Sequence, residues 1–390
     1  MIHSFDAVVV GAGIMGCSTA LHLAERGLVV GVIEKNGICT GSTGRSSAIV
    51  RQHYSNELTA RMARYGLEVF QDFQERVGGT CSFVRCGFVV LVPEADRDGL
   101  EANVALQRGV GVETEILQPE ALREVMPGLD AADLVAAAYE PASGYADPHL
   151  TTHSYADAAR RHGTRFLLGR EVTGVRFRGG RVVGVDTSDG PVDAGMVVNC
   201  AGPWGARVAR MAGLDVPVSA CRIQVATFRR PDEAGTHPVV LDFVHASYFR
   251  PETGNLTLVG LIDPAEADAV VDPDAYPEFV DDAFIADVGA RWTRRCPAMA
   301  ESEARGGYSG LYGVTPDWHP VVDEVPEGSG HFVCTGFSGH GFKLGPAVGL
   351  MTSQLMLGDD EPRFDPRLFR LARFREGRPV RGRYEYSITG

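Results

Sequence analysis

Lysine is almost absent from this chain of 390 residues. Of its 37 lysines and arginines, only Lys35 and Lys343 are lysines. The 50 acidic residues give a formal net charge of −13, and no block of Lys or Arg stands out. The charge therefore argues against nucleic acid and against an anionic membrane as partners. Where arginine is used almost everywhere, a lysine suggests a position at which arginine would not serve.

Long apolar runs and paired cysteines are also missing. No stretch reaches the roughly 20 apolar residues that a membrane-spanning helix needs, and the N-terminus lacks the basic segment of a signal peptide. The eight cysteines include no CxxC pair and no zinc-ligand spacing, so we predict no metal site. Reduced thiols favour a cytoplasmic protein.

The apolar periodicity predicts strands and helices along the whole chain. A helix is expected over 55–77, with Ser55 as its N-cap and Gly78-Gly79 as its end. Gly179-Gly180 is predicted to be the turn of a hairpin. Further helices are predicted over 150–162, 281–294 and 345–357, and strands over 86–92, 171–178, 181–186, 196–200 and 222–262.

The first 34 residues carry the pattern of a dinucleotide-binding unit. A strand leads into Gly11-Ala12-Gly13-Ile14-Met15-Gly16, a helix follows, and a second strand ends at Glu34. Gly11 permits a tight turn, Gly13 lets the backbone approach a pyrophosphate, and Gly16 lets helix and strand pack closely. The helix N-terminus presents N–H groups to the phosphates. Glu34 is placed to bind the ribose hydroxyls, and an acid there disfavours NADP.

The next segment favours a longer cofactor than NAD. Gly41-Ser42-Thr43-Gly44-Arg45-Ser46-Ser47 is a small, polar and flexible run directly after the second strand. Such a run can wrap a long cofactor with hydroxyl and backbone donors, although an ordinary surface loop has the same composition.

The predicted fold class is mixed α/β, with a Rossmann-type nucleotide-binding domain and an inserted antiparallel-sheet substrate domain. The chain is long enough for two domains. We predict that 1–85, 146–218 and 305–390 form the nucleotide-binding domain, and that 86–145 and 219–304 form the substrate domain.

Five stretches give the chain a family resemblance. They are the N-terminal fingerprint, Gly41 to Arg51, Asn199-Cys200-Ala201-Gly202-Pro203-Trp204, Tyr312-Gly313-Val314-Thr315-Pro316-Asp317, and Gly336-Phe337-Ser338-Gly339-His340-Gly341-Phe342-Lys343. With these motifs the chain resembles FAD-dependent amine oxidoreductases of the D-amino-acid oxidase superfamily, in the sarcosine oxidase and dimethylglycine dehydrogenase-like branch.

The resemblance implies FAD between the two domains. It implies that 339–343 run beneath the flavin ring and that Val172 meets the adenine through its backbone. The residues implied to line the adenosine and pyrophosphate side are Glu34, Lys35, Ser42, Thr43 and Arg45. The residues expected to contact the cofactor are Gly11, Gly13, Ile14, Met15, Gly16, Glu34, Lys35, Ser42, Thr43, Arg45, Ser46, Val172, Ala201, Gly202, Gly339, His340, Gly341, Phe342 and Lys343.

Arg51 and Lys343 correspond to the family's pair that binds the substrate carboxylate. A fixed carboxylate would hold the substrate Cα–H over flavin N5. Arg51 in a structural ion pair and Lys343 as a snorkelling surface cation are the alternatives. Tyr248, Tyr312 and His340 complete the predicted catalytic set, although the tyrosines could simply pack, and His340 could contact the flavin or only hold its loop.

Two departures from the family pattern concern the cofactor and oxygen. Some relatives bind FAD covalently through a Cys two residues before the tyrosine or a His near the first loop, but here Gly310 and Arg45 stand there. We therefore predict non-covalent FAD. Relatives of the oxidase type use a further lysine to promote reaction with oxygen, and strand 256–260 has none. A dehydrogenase with another electron acceptor therefore stays open beside an oxidase.

The predicted reaction is FAD-dependent oxidation of a small α-amino acid, preferably N-methylated or otherwise secondary, to an imine. A 2-hydroxy-acid dehydrogenase on the same fold is the enzymatic alternative, because the clamp recognises only the carboxylate. The chain could also be the flavin-bearing subunit of a larger complex, as a homo- or hetero-oligomer. An NAD-binding module is a third alternative.

Overall fold

The computed structural model describes residues 3–263, 265 and 268–384. The outer ends of the predicted nucleotide-binding domain, 1–2 and 385–390, lie outside the described residues. Within the described residues, no helix is both long enough and apolar enough to cross a bilayer.

Strands and helices alternate along much of the chain. The strands are β1 (His3–Val10), β2 (Val30–Glu34), β3 (Ile49–Val50), β4 (Val84–Arg85), β5 (Phe88–Leu91), β6 (Glu115–Leu117), β7 (Ala137–Glu140), β8 (Gly144–Tyr145), β9 (Arg165–Leu168), β10 (Val172–Arg178), β11 (Arg181–Thr187), β12 (Gly190–Asn199), β13 (Ser219–Arg229), β14 (Val239–Asp242), β15 (Ser247–Glu252), β16 (Leu256–Leu261), β17 (Glu303–Val314), β18 (Val321–Glu324) and β19 (His331–Thr335). The helices are α1 (Ile14–Glu25), α2 (Glu57–Gln71), α3 (Phe73–Arg76), α4 (Arg97–Gly109), α5 (Pro119–Val125), α6 (Pro148–Arg161), α7 (Gly205–Met211), α8 (Asp282–Arg295), α9 (Gly345–Leu357) and α10 (Ala372–Arg375).

The first sheet is built around β1. This strand pairs in parallel with β2 on one side and with β12 on the other, and β9 and β19 extend the parallel set. Val8 and Val9 are fully buried, as expected of a parallel strand that is covered on both faces. The helix α1 packs against α6 and α9. All the parallel strands therefore end at one edge of the sheet.

The second sheet has the order β17-β13-β16-β15-β14-β5-β7-β6. Its pairs are antiparallel except for β14 with β5. Phe228, Phe249 and Trp292 pack together where α8 covers one face. Two sheets of these types confirm the predicted fold class. The division into domains stays a prediction, and β17 crosses its boundary at 304–305 while pairing with β13.

A third, small sheet joins three distant segments. Its central strand β8 pairs with β3 on one side and with β4 on the other. Val50 lies opposite Gly144. The sheet therefore brings the residues that follow β3 next to those that follow β7.

Most predicted elements are present, and the helix over 55–77 needs two corrections. The chain bends at Asp72, so that α2 and α3 are separate helices. The N-cap is Asn56, whose side chain accepts a hydrogen bond from the Thr59 N–H at 2.8 Å. Ser55 is not the cap, and its hydroxyl accepts from the Asn103 amide. Both residue types cap helices well, so the pattern alone did not separate neighbours.

The other predicted elements differ mainly at their ends. The helices α6, α8 and α9 lie within two residues of the predicted ranges. The hairpin turns at Gly179-Gly180, where both φ angles are positive. The strand predicted over 196–200 is longer and begins at Gly190, because its first half pairs with β11.

A buried ion-pair network ties α8 to the second sheet. Arg295 is 1% exposed, and its Nε donates to Asp242 at 2.7 Å. Its Nη1 donates to Asp133 at 2.6 Å, and His245 Nδ1 lies 2.9 Å from Asp242. An interior cation of this kind depends on its anions, because water does not solvate it.

We expect Asp242→Asn to lower the free energy of unfolding by about 3–5 kcal/mol, because it leaves Arg295 buried without full compensation. The matched control is Asp287→Asn, which breaks an exposed pair with Arg291 in the same helix. It should cost less than about 1 kcal/mol. Urea denaturation of both variants, followed by circular dichroism, measures the difference. Equal losses would contradict the assignment of stability to the buried pair.

Candidate active site

The carboxyl ends of the parallel strands open into a cavity of about 270 Å³. Its wall includes residues at or just after the end of four of these strands: Gly11, Glu34, Ala201 and Gly336. Side chains of the second sheet, among them Ile223, Val225 and Leu311, face it as well. Ligands of open α/β sheets bind at such an edge.

The glycine-rich turn after β1 is held tightly against its neighbours. Gly11 has φ +104°, and its N–H donates to the Ile33 carbonyl at 2.8 Å. A Cβ on Gly11 would lie 2.7 Å from the Cys200 carbonyl oxygen, and one on Gly16 would lie 2.0 Å from that of Gly11. The tight turn and the close helix–strand packing predicted for these glycines are therefore present.

The Glu34 carboxylate is fixed beside this turn. One oxygen accepts from the Ala12 N–H at 2.9 Å, and the other accepts from the Asn36 N–H at 2.8 Å. Each carboxylate oxygen has more than one lone pair, so both can still accept a hydroxyl hydrogen. This geometry fits a ribose at the cavity wall.

The hydroxyl of Thr43 contacts the N-terminus of α1, and its neighbour Ser42 lines the same cavity. The Ile14 N–H donates to Thr43 Oγ1 at 3.2 Å, and a Cβ on Gly13 would lie 3.1 Å from the same oxygen. Ser42 Oγ is buried and has no hydrogen-bond partner among the described residues. An unsatisfied hydroxyl, a helix N-terminus and a glycine-rich turn fit the pyrophosphate of FAD.

Most residues predicted to contact the cofactor line this cavity. The exceptions are Gly16, His340 and Lys343. Gly16 lies beneath the turn, and Lys343 lines a neighbouring cavity.

The His340 ring faces away from both cavities. Its Nε2 lies 2.6 Å from the Trp318 carbonyl oxygen and its Nδ1 lies 3.4 Å from the Tyr54 hydroxyl. Burial, together with Lys343 and other nearby groups, holds the pKa of His340 well below its ordinary value. The prediction that this ring shapes the pocket is not supported, because its hydrogen bonds direct it into the protein. Holding the loop is the role that these contacts fit.

A smaller cavity of about 50 Å³ adjoins the first. The two share Ser46, Ser47, Tyr248, Tyr312, Gly339 and Phe342 in their walls. Four of the five predicted catalytic residues line the smaller cavity, namely Arg51, Lys343, Tyr248 and Tyr312. The remaining wall is largely apolar and includes Ile49, Leu241 and Ile262.

The two cations of the smaller cavity are buried. Arg51 is 3% exposed, donates to the His53 carbonyl and lies 4.5 Å from the centroid of the Tyr54 ring. Lys343 is 5% exposed, and its Nζ donates to the His340 carbonyl at 3.3 Å. A snorkelling surface cation would be exposed, so that alternative is wrong for Lys343. Burial and the nearby Arg51 hold the pKa of Lys343 well below its ordinary value.

Each tyrosine of the wall rests on a glycine. A Cβ on Gly260 would lie 2.4 Å from Cε1 of Tyr248, and one on Gly339 would lie 2.3 Å from Cε2 of Tyr312. The Tyr248 hydroxyl forms a 2.7 Å hydrogen bond with Ser47 Oγ. A larger residue at either glycine would displace an aromatic ring of the wall.

Arg45 lines the cofactor cavity, but its guanidinium also reaches the second sheet. It donates to the Tyr276 hydroxyl at 3.0 Å and to the Ser309 carbonyl at 2.9 Å, and it pairs with Glu278 at 2.8 Å. A Cβ on Gly310 would lie 3.0 Å from Cβ of Arg45. A cysteine at 310 would therefore require a small shift of Arg45.

Sequence reasoning missed a cluster of charges at the cavity margin. Asp274 pairs with Lys35 and accepts from Arg207 Nη1 at 2.6 Å and from Trp204 Nε1 at 2.8 Å. The Lys35 ammonium also lies 4.1 Å from the centroid of the Trp204 ring. Asp274 is far from its partners along the chain, so no local pattern signalled the contact.

Residues 6–355 match the model of the DAO family, described as FAD dependent oxidoreductase. The chain belongs to this family. The family match confirms the resemblance inferred from the motifs and the prediction of FAD.

Individual relatives and one solved structure agree with this family. The chain is 28% identical over 355 residues to mitochondrial sarcosine dehydrogenase of Homo sapiens, an alignment that covers 88% of this chain and 39% of that protein. It is 27% identical to sarcosine oxidase subunit beta of Rhodobacter capsulatus, over 96% of this chain and 89% of that protein. The crystal structure of L-proline dehydrogenase from P. horikoshii has a TM-score of 0.89 at 28% identity, and the match covers 97% of this chain and all of that one. The chain thus spans less than half the length of the mitochondrial sarcosine dehydrogenases that it matches.

We expect Asp274→Asn to accelerate the loss of FAD from the holoenzyme, because Lys35, Trp204 and Arg207 lose the anion that gathers them at the cavity margin. Flavin fluorescence after dilution measures the release rate. Salt should accelerate release from the unaltered protein more than from the variant, since ion pairs are screened. Asp359→Asn, which breaks an exposed pair with Arg26, is the control. Identical release from all three proteins would contradict this role.

Proposed function

We propose that this protein oxidises a small α-amino acid, preferably one with an N-methylated or otherwise secondary amine, to an imine. The observation that carries the proposal is the pair of buried cations, Arg51 and Lys343, in a small cavity that adjoins the larger one. FAD, when bound, supplies the hydride acceptor at its N5 atom.

The cations would orient the substrate. A carboxylate between Arg51 and Lys343 would supply them with a negative counter-charge, and a charge-assisted hydrogen bond contributes about 1.5–3 kcal/mol. With the carboxylate fixed, the Cα–H is directed toward the wall that both cavities share, at Tyr248 and Tyr312. Orientation of this kind is the protein's main contribution to the reaction.

The same cations would select the reactive form of the amine. Among the described residues that line the smaller cavity, Arg51 and Lys343 are the only charged side chains. Two positive charges disfavour an ammonium group nearby and favour the neutral amine. The neutral amine has the lone pair that stabilises the imine as hydride leaves Cα, and water then hydrolyses the imine.

The apolar wall bears on the size of the substrate. Leu241 and Ile262 are buried and line the smaller cavity. Apart from Arg51 and Lys343, the described wall has no charged side chain that could pair with a second charge of the substrate. A small aliphatic side chain or an N-methyl group would be buried there, whereas a second charge would remain unpaired. This supports a small amino acid whose side chain or N-substituent is apolar.

A 2-hydroxy-acid dehydrogenase is the second candidate, since Arg51 and Lys343 recognise only the carboxylate. The relatives support the amine, because their names refer to sarcosine, 4-methylaminobutanoate and dimethylglycine. A screen that follows bleaching of the bound flavin without air tests the choice. Small secondary amino acids should bleach it, and bleaching by hydroxy acids alone would overturn the proposal.

We propose that the enzyme passes its electrons to an acceptor other than oxygen, and that this acceptor belongs to a larger assembly of which the chain is a subunit. The strand β16 has no lysine, Lys35 is paired with Asp274, and Lys343 belongs to the clamp. The relative from Rhodobacter capsulatus is named as a subunit, which supports a hetero-oligomer. Turnover with oxygen, compared with turnover with an artificial acceptor, tests this part.

The eight free cysteines support a reducing, cytoplasmic location.

Lys343→Met should reduce kcat/KM for a carboxylate-bearing substrate about 10- to 100-fold, because one charge-assisted hydrogen bond is lost. Methionine preserves length and fits the apolar surroundings. The amine of the same size without a carboxylate is the matched control, and its turnover should change less than about twofold at equal flavin content. An equal effect on both substrates would contradict the clamp.

FAD should be held without a covalent bond. Gly310 and Arg45 stand at the positions of the family's attachment residues, and Cys39 and Cys200 line the cavity as buried thiols. Burial raises the pKa of Cys39 to about 11, and its neighbour Cys334 together with burial raises that of Cys200. Thiols of this kind are poor nucleophiles. Acid precipitation should leave all yellow colour in the supernatant, and colour in the pellet would contradict the prediction.

A further inference from the structure

A carboxyl group stands behind the two cations without lining either cavity. Glu140, the last residue of β7, is fully buried. Its Oε2 accepts from the Gln52 N–H at 2.8 Å and from the Ser143 hydroxyl at 2.6 Å. Its Oε1 has no hydrogen-bond partner among the described residues. No motif in the sequence pointed to this residue.

The small sheet explains why Glu140 reaches the clamp. The strands β3 and β8 pair, so that the residues after Val50 lie beside the turn that joins β7 to β8. Gln52 follows Arg51 directly, and the Glu140 carboxylate therefore holds the backbone that carries the Arg51 side chain.

The charges of this region influence one another. Burial raises the pKa of Glu140 to about 7, while its hydrogen bonds and the cations Arg51 and Lys343 oppose this rise. Burial and Arg51 lower the pKa of Lys343, and Glu140 raises it. His53 is neutral, because burial lowers its pKa to about 3.

Two further titratable neighbours, His340 and Tyr54, carry no charge at neutral pH. Burial holds the pKa of His340 well below its ordinary value and raises that of Tyr54 to about 12. Of the charged groups that influence Lys343, Arg51 disfavours its positive charge and Glu140 favours it.

We propose that Glu140 is a positioning residue of the carboxylate clamp, which holds the Arg51 segment by its hydrogen bond to the Gln52 N–H and places a negative charge beside the two cations. The inference rests on the proposed function of Arg51 and Lys343. A merely structural role would require only the hydrogen bonds to Gln52 and Ser143. The two roles differ in what happens when the charge is removed and an acceptor oxygen is kept.

Glu140→Gln makes that separation, with acetate as the probe and the FAD-loaded protein as the sample. Acetate has no amine, so its binding reports on the clamp and not on the protonation of a substrate. Titration calorimetry between pH 6 and 10 should give, for the unaltered protein, a dissociation constant that rises once Lys343 loses its proton. In Glu140→Gln this rise should begin at least about one pH unit lower, with acetate bound about tenfold more weakly in that interval.

Two controls bracket the result. Glu140→Asp keeps the charge and should move the curve back toward that of the unaltered protein. Glu252→Gln removes a half-buried carboxylate that pairs with Arg250, outside both cavity walls, and should leave the curve unchanged. Coincident curves for Glu140→Gln and the unaltered protein would overturn the inference while the clamp stands. If Lys343→Met binds acetate as well as the unaltered protein, the clamp itself fails, and the inference fails with it.

Ser143→Ala provides a second route if Glu140→Gln does not fold. The Ser143 hydroxyl stabilises the ionised carboxylate, so its loss makes Glu140 more protonated. The acetate curve should then shift in the same direction by a smaller amount. An unshifted curve in a folded Ser143→Ala protein would also overturn the inference.

Discussion

Two positive charges lie close together where water hardly reaches. Because a buried cation is costly unless an anion compensates it, the surroundings of Arg51 and Lys343 depend on the negative groups that come near them. Glu140 contributes one from inside the protein, and a ligand carboxylate in the small cavity would contribute another. The neutral state of His340 follows from the same constraint, since burial and a neighbouring cation both disfavour a further charge.

The fold brings these charges together from distant segments. Arg51 follows β3, and Lys343 follows β19 at the edge where the parallel strands end. The helix α2 packs on the loop that carries Lys343, and Gly66 makes this possible, because a Cβ there would lie 2.2 Å from the Lys343 carbonyl oxygen. A helix-interior glycine is unfavourable by itself, so its presence reflects this close approach.

The two sheets face each other across the cofactor cavity, and charged contacts join them at its margin. Asp274 gathers Lys35 and Arg207, while Glu278 pairs with Arg45. Each of these pairs is partly exposed, and such pairs stabilise weakly one by one. This margin is therefore held by charge, in contrast to the apolar interior of either sheet. Phe279, which follows Glu278 directly in the chain, has an exposed side chain.

The sequence by itself determined the parts of this protein that depend on neighbours in the chain. The turn at Gly11, the acid at Glu34 and the hairpin at Gly179-Gly180 could all be predicted from the sequence, because each belongs to a local pattern that favours those residue types. The family resemblance also predicted that Arg51 and Lys343 share one site, and both line the smaller cavity. Only the tertiary structure decided the direction of the His340 ring and the places of Glu140 and Asp274. The sequence shows a buried acidic residue and an exposed one as the same amino acid, and only contacts between distant segments distinguish the two.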